Sequence, residues 1–362
     1  MDVLIASNEL KAKAFLDEIE GKKPLFIATI ATTETGKIPG LSAAGANPDF
    51  TDFTPPADAE LLLLGRCKSI QGVPITPDGI PTPALITTSA LHLADIPVVV
   101  VNGGVKVKPQ IPYIDVNGSP GRDIRTGDSV DNVEEVIERA KVIGEQLAKA
   151  SDYLVIGESI PGGTTTALGV LSALGVDAYG KVSSTLPKNP HDLKAEVVAA
   201  GLKSAAAKFG QFKGDPIKAV SAVGDPMMAA VAGLVIGGSK QSPVLMAGGT
   251  QMTAVLAVIN ALEPKALCNV AVGTTRWVAK DKSSDICGIV KQFSEVPIIA
   301  ADLDFGSSQY PGLRIYETGL VKEGVGAGGA SIAAMAKTGG AVDKQILLKE
   351  IERNYASLMQ LK

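Results

Sequence analysis

Short runs of consecutive apolar residues alternate along the chain with longer alanine-rich stretches. The runs are Leu25–Thr32, Leu61–Leu64, Val98–Asn102, Tyr153–Gly157, Val244–Ala247, Ala266–Val272 and Val296–Ala301. Most are continuous rather than alternating, as strands covered on both faces require, and the stretches between them can supply crossover helices. The pattern predicts an α/β protein with a parallel sheet. The clearest helix is Asn132–Ala150, whose Val133, Val136, Ile137, Ala140, Ile143, Leu147 and Ala150 form one apolar stripe. Asp128, Ser129 and Asp131 are its candidate caps. Gln345–Leu361 reads as an amphipathic helix for packing or dimer contact. Ala219–Gly238 is the most apolar stretch, but Asp225-Pro226 divides it, so it reads as a broken core helix rather than a membrane span. Ile38–Pro83 is rich in Pro, Gly, Thr and Asp and shows little periodicity, which predicts a functional or irregularly packed loop region.

Composition narrows the function classes. The 362 residues suggest two domains or one large elaborated one. With 34 Lys+Arg against 38 Asp+Glu and no basic stripe, nucleic-acid binding is not expected. Cys67, Cys268 and Cys287 share no short spacing, and His92 and His191 lie far apart, so neither a zinc knuckle nor an HExxH site is expected. Asp2, Asn8 and Glu9 interrupt a start that lacks the pattern of a signal peptide, which points to the cytoplasm and away from the membrane.

The most informative segment is Tyr153-Leu-Val-Ile-Gly-Glu-Ser-Ile-Pro-Gly-Gly-Thr-Thr-Thr166. A buried strand ends at Gly157, and Thr164–Thr166 open a helix whose outward amides suit a phosphate. Gly162 and Gly163 allow close approach, and Thr164 and Thr165 add donors. Gly157 and Gly162 have P-loop spacing, yet Gly163 stands where the lysine must be, which disfavours an NTPase. Such a turn also occurs without any ligand. Two further strands end in Gly248-Gly249-Thr250, where Thr250 is expected to cap a helix, and in Gly273-Thr274-Thr275-Arg276. Three such turns on one carboxyl edge favour a nucleotide or phosphosugar site.

Taken in order, four segments resemble the nicotinate-nucleotide:dimethylbenzimidazole phosphoribosyltransferase family, and specifically a divergent, archaeal-type branch. Gly157-Glu-Ser-Ile-Pro-Gly-Gly-Thr-Thr165 is similar to the family's G-E-x-G-x-G-N-T-T turn. Val223-Gly-Asp-Pro-Met-Met-Ala-Ala-Val-Ala-Gly233 followed by Pro243–Gly248 is similar to V-G-G-F-E-I-A-A-M-A-G and P-V-L-L-D-G. Asp192-Leu-Lys194 matches a D-x-x-L-x-x-K stretch loosely, and Lys322-Glu-Gly-Val-Gly-Ala327 is similar to L-G-E-G-T-G-A. The resemblance runs from about residue 120 to 335. Gly163, Met227 and Ala247 depart from the family's Asn, Glu and Asp, and Asp302–Leu320 looks like an insertion.

The resemblance implies a three-layer α/β/α fold with a Rossmann-like sheet in a large domain over residues 24–322. Residues 1–23 and 323–362 would form a smaller helical domain, and the chain would be a homodimer. It implies transfer of ribose phosphate from nicotinate mononucleotide to a benzimidazole-like base, with no metal and no organic cofactor. Glu323 becomes the general base, although a glutamate before a helix is favourable in any case. Glu158 would contact the ribose or stabilise a developing positive sugar, or else cap the amides of Gly162–Thr165. Gly162, Gly163, Thr164 and Thr165 are the phosphate candidates, and Gly224, Asp225 and Gly248 line the remaining turns. Lys194 could add charge, but the exposed face of a His191–Ala207 helix is the simpler reading. Thr274 and Thr275 face the ligand or cap a turn. Asp302 and Asp304 follow a strand as the acidic pair of diphosphosugar-using transferases does, without that motif's phosphate loop. Arg122, Arg125 and Arg276 are possible anion partners. Hydrolysis of the nucleotide, or nucleotide or corrinoid-precursor binding without catalysis, are the competing functions.

Overall fold

A computed structural model of the chain, described over residues 1–42, 48–72, 74–75 and 79–360, places the apolar runs in one eight-stranded sheet. The strands are β1 Val3–Ser7, β2 Pro24–Ala31, β3 Val98–Gly104, β4 Ile114–Asp115, β5 Tyr153–Ser159, β6 Val244–Ala247, β7 Val270–Thr275 and β8 Ile298–Ala301. Their order is β1-β8-β7-β6-β5-β2-β3-β4, and only β1, paired with β8, is antiparallel. Every residue of β2, β5, β6, β7 and β8 is buried, which is why these runs do not alternate.

Alternate residues of each strand feed two separate cores. Leu25, Ile27, Leu154, Ile156, Val244 and Met246 pack under one layer of helices. That layer contains α4 Val133–Ala148, α5 Gly163–Leu174, α6 His191–Ser204, α7 Pro216–Val223, α8 Pro226–Gly238, α9 Thr250–Leu262 and the short α11 Ile286–Val290. Phe26, Ala28, Tyr153, Val155, Leu245 and Ala247 pack under the other. Here lie α1 Glu9–Ile19, α2 Thr54–Leu64, α3 Ala84–Leu93, α13 Ala327–Lys337 and α14 Lys344–Gln360, with the short α10 Arg276–Ala279 and α12 Pro311–Arg314 at its edge. The fold is three-layered and mostly parallel. No helix among the described residues is long and apolar enough to cross a membrane.

Small residues make the layers tight. A Cβ on Gly144 of α4 would lie 2.2 Å from the Leu234 carbonyl oxygen, and one on Gly237 of α8 2.0 Å from that of Lys141, so these helices pack backbone against backbone. Chain direction across the sheet reverses at β2 and β5. The chain runs outward through β2, β3 and β4, then returns to place β5 on the other side of β2. Open parallel sheets bind ligands outside the carboxyl ends of strands at such a switch point.

Several sequence expectations need correction. Leu61–Leu64 is the last turn of α2, not a strand; Pro55 and Pro56 start that helix, and left-handed Gly65 ends it. Its residues from Pro55 to Leu62 are all buried, so no one-sided stripe exists to reveal it within the Ile38–Pro83 region. The run at Ala266 begins in a 3-10 turn, Pro264–Asn269, and becomes strand at Val270. Asn132 is the N-cap residue of α4, without a side-chain cap bond, while Asp131 is held by Arg122 and Ser129 donates to the Gly224 carbonyl. Gly249 takes the N-cap position of α9, and Thr250 is its first residue. Ala219–Gly238 is indeed broken: Asp225 accepts from the Met228 amide and starts α8. Leu361 lies outside the described residues.

Candidate active site

At the carboxyl end of β5, Glu158 and Ser159 open onto a cavity of about 590 Å³. One wall is the turn Ile160–Thr164 leading into α5; Gly162 sits left-handed (φ 87°) as its N-cap residue, and no side chain caps the helix. The Gly163 and Thr165 amides donate to the Ile160 and Gly162 carbonyls, which leaves the Thr164 amide and hydroxyl to suit an anion. A Cβ on Gly162 would lie 2.6 Å from the Gly36 Cα, so this turn is glycine for steric reasons on both counts.

Gly163 lies close against the end of the Gln251 side chain. A Cβ there would come 2.8 Å from the Gln251 Nε2. Gln251, from the first turn of α9, lines the cavity and presents a side-chain amide where position 163 cannot.

Opposite the turn, Glu323 lies in the loop that enters α13. It accepts from the Gly324 amide (3.1 Å) and, through both oxygens, from that of Gly328 (3.3 and 3.2 Å). Burial pushes its carboxyl up to about 8 despite these donors. The loop bends through two β-branched residues with left-handed backbone, Val321 (φ 51°) and Val325 (φ 54°), both lining the cavity. Val325 is tied on each side: its amide donates to the Glu158 carbonyl oxygen, and its own carbonyl accepts from the Thr87 hydroxyl. Behind Glu323, the buried Lys322 pairs with Asp281 at 2.7 Å.

Glu158 is 3% exposed and accepts from the Ile160 amide rather than capping Gly162–Thr165. Burial first, then the charges of Asp225 and Glu323, raise its carboxyl well above the ordinary range. Two adjacent glycines border the two glutamates: Gly248 lies beside Glu158 Oε1 and Gly249 beside the Glu323 side chain.

The cavity thus brings together Glu158, Gly162, Gly163, Thr164 and Glu323 from the sequence reading. Gly248 stands just behind them. Thr165 is buried in the first turn of α5 with an unpartnered hydroxyl. Asp225 is fully buried beneath the turn, bonded to the Thr166 hydroxyl, with its carboxyl pushed up to about 6 by burial; Gly224 is the C-cap residue of α7. Thr275 donates to the Lys322 carbonyl, and Thr274 is buried against α13, where a Cβ on Gly328 would meet its backbone.

Lys194 is not on an exposed face. It is fully buried and donates to the Ser183 carbonyl and Asn189 Oδ1, shaping the loop that delivers Thr185 to the cavity. Arg122 and Arg125 are ion-paired to neighbouring aspartates, and Arg276 is bound to Glu317 and faces Asp302 and Asp304. Among the described residues, no cluster of three or more His, Cys, Asp or Glu side chains could hold a metal.

Sequence reasoning missed Asp58 on α2, together with Thr82 and Ser159. Asp58 is 2% exposed, lines the cavity, and accepts from Thr82 Oγ1 (2.8 Å) and Ser159 Oγ (2.7 Å). The signal available was two carboxylates, Asp58 and Glu60, inside the apolar run Ala57–Leu64. The 302–320 segment buttresses this side: Tyr316, tilted against Trp277 and edge-on to Phe305, donates to the Pro81 carbonyl at 2.7 Å.

Residues 87–279, just over half of the chain, match the profile of a family described as Phosphoribosyltransferase, the family of nicotinate-nucleotide:dimethylbenzimidazole phosphoribosyltransferases. The chain belongs to that family. It is 49% identical to a UPF0284 protein of Sulfolobus acidocaldarius over 95% of its own length and 99% of the relative's. A UPF0284 protein of Methanothermobacter thermautotrophicus is 47% identical over 89% and 90%. These relatives put the chain in a divergent, archaeal-type branch of the phosphoribosyltransferase family. Among solved structures, CobT from Thermus thermophilus superposes with a TM-score of 0.58 at 17% identity, covering 92% of each chain. The nicotinate-nucleotide-dimethylbenzimidazole phosphoribosyltransferase from the same organism gives 0.54 at 17%, covering 91% of each. At that identity the likeness establishes the shared fold. It also frames the branch's departures from the family pattern. Ala247 packs closely on α13, where a Cβ on Gly329 would lie 2.3 Å from its own Cβ. Met227 is fully buried in the core beneath the sheet.

Proposed function

We propose that the protein transfers ribose phosphate from nicotinate mononucleotide to a ring nitrogen of a benzimidazole-like base. The observation that carries this reading is the meeting, in one cavity, of a buried carboxylate near neutral pKa, Glu323, with the glycine-threonine turn at the start of α5. In the reaction, Glu323 takes the proton of the acceptor ring N–H. The freed nitrogen lone pair forms the bond to C1′ of the ribose. The C1′–pyridinium bond breaks on the opposite face, its electron pair returns to the pyridine ring, and nicotinate leaves with inversion at the anomeric carbon.

A base works best when its pKa lies near the operating pH, and the burial of Glu323 raises it to about 8. The positive charge that develops on the sugar lowers the cost of ionising Glu158 beside it, so this carboxyl stabilises the transition state more than the ground state. The α5 turn, with Gln251 next to it, holds the phosphate.

The test is to incubate pure protein with nicotinate mononucleotide, with and without a panel of benzimidazoles and purines. Nicotinate release that requires an acceptor, with formation of the riboside phosphate, is the expected result. Release without acceptor would mean hydrolysis, and binding without release would mean a non-catalytic role; either outcome overturns the proposal.

A further inference from the structure

The cavity is also lined by Leu41, Phe53, Ile70, Ile75 and Ile80, yet a carboxylate stands in it. Asp58 is 2% exposed, and among the described residues it pairs with no cation. Its partners are the Thr82 and Ser159 hydroxyls, both lining the same cavity. A hydroxyl has one proton, and each of these has given it to Asp58. Toward any ligand, Ser159 and Thr82, whose oxygen also accepts from the Ala84 amide at 3.3 Å, therefore have only lone pairs left to offer. Ionised Asp58 is likewise acceptor-only, and two donors leave it capacity for more. Burial pushes its carboxyl up only to about 6, because the two hydroxyls oppose the shift, so it is ionised above neutrality.

An apolar slot selects a flat ring by shape. Three acceptors at its wall do something further: they favour a ring whose edge carries a hydrogen-bond donor and leave a desolvated carboxylate short of partners when an alkyl group comes instead. We propose that Thr82, Asp58 and Ser159 form a specificity-determining subsite that selects an aromatic acceptor bearing a ring-edge amino or hydroxyl group over an alkyl-substituted one. The Asp58 charge is among those that raise the Glu158 carboxyl, which sets this subsite within reach of the carboxylate proposed to face the sugar. The proposal rests on the transfer reading for its substrate. Its discrimination is a property of binding and is measured without turnover.

The experiment compares hydroxybenzimidazole and aminobenzimidazole with dimethylbenzimidazole, by calorimetric affinity and by kcat/KM at fixed nicotinate mononucleotide. The donor-bearing rings are expected to win by about tenfold or more, since a site built to hydrogen-bond a ligand group rejects analogues lacking it. In Asp58→Asn that ratio should collapse to within about threefold, because the amide brings a donor of its own into the subsite. Thr82→Val removes one hydroxyl without touching the carboxylate, should shrink the ratio in the same direction, and serves if the first variant does not fold. A ratio near one in the parent, or one unchanged in a folded variant, overturns the subsite. If the parent binds the acceptors with the expected ratio but transfers nothing, the transfer reading fails and the subsite stands. If it transfers to all of them equally, the reverse holds.

Discussion

The glycine turn at Gly162–Thr164 and the wall around Asp58 line the same cavity but are built in opposite ways. The turn is a single stretch of chain in which the strand, the tight bend and the helix start follow one another, and its ligand chemistry comes from the backbone. The wall is assembled from α2, the Pro81–Pro83 segment and the end of β5, and its chemistry comes from side chains whose bonding partners lie 24 and 101 positions away. Backbone chemistry needs glycine and correct dihedral angles, which a local motif can carry. Side-chain chemistry of the second kind needs the fold first. A turn of the first kind suits a constant group such as a phosphate, whereas a wall of the second kind can change its selectivity one residue at a time.

The largest test of this division is Glu323→Gln. Transfer should fall by ~10²–10⁴, the usual contribution of a positioned base, while nicotinate mononucleotide affinity barely moves, since the proposed donor contacts lie on Glu158 and the turn. Single-turnover rates and calorimetry on one preparation read both. Equal losses in rate and donor affinity would mean that the two regions are not separable.

Next comes pH. A base held at about 8 must be deprotonated to act, so kcat/KM should rise about tenfold per unit below that value and level off above it. A profile flat from pH 6 to 9 would assign proton removal elsewhere. Gly163→Val should follow in size: its Cβ would press on Gln251 Nε2 at 2.8 Å and Ile160 Cγ2 at 3.0 Å, weakening nucleotide binding by about tenfold. Acceptor selectivity should stay as it was. A shift in selectivity would show that the wall and the turn are coupled.

The smallest effect is on stability. The folded value for Glu323 lies above the usual 4.5, so between about 4.5 and 8 the native state binds its proton more tightly than the unfolded chain does. Stability therefore falls as pH rises through that window, and Gln removes this contribution. The melting temperature of Glu323→Gln should gain on the parent as pH climbs from 5 to 8. A constant difference would indicate a carboxylate that stays charged throughout.

What could be read in the sequence follows the same division. Strands such as Val244–Ala247 are continuous apolar runs with glycine at their ends, and they appear where the pattern puts them. The turn after β5 and the Glu323 loop are contiguous motifs and could be read as such. Helix α2 could not, because burial on every face erases the one-sided stripe, and its Leu61–Leu64 end imitates a strand. Asp58 belongs to no motif, and its role exists only once Thr82 and Ser159 meet it. Lys194 was misplaced for a related reason: a lysine among polar helix neighbours looks exposed until the Ser183 and Asn189 acceptors close over it.

The loop carrying Glu323 also has a consequence for motion. Left-handed backbone costs a β-branched residue about 1–2 kcal/mol, and Val321 and Val325 both adopt it, six residues before α13 and two before it. Letting the loop swing away from the cavity would release that cost, so its opening is less uphill than that of the sheet beneath it. The restraints against opening are the Val325 amide on the Glu158 carbonyl oxygen, the Thr87 hydroxyl on the Val325 carbonyl, the Thr275 hydroxyl on the Lys322 carbonyl and the Lys322–Asp281 pair. A ring lodged against Glu323 would add to them. The Val325 amide should therefore exchange its hydrogen with solvent faster than the β5 amides in the free protein, and slow most when the cavity fills.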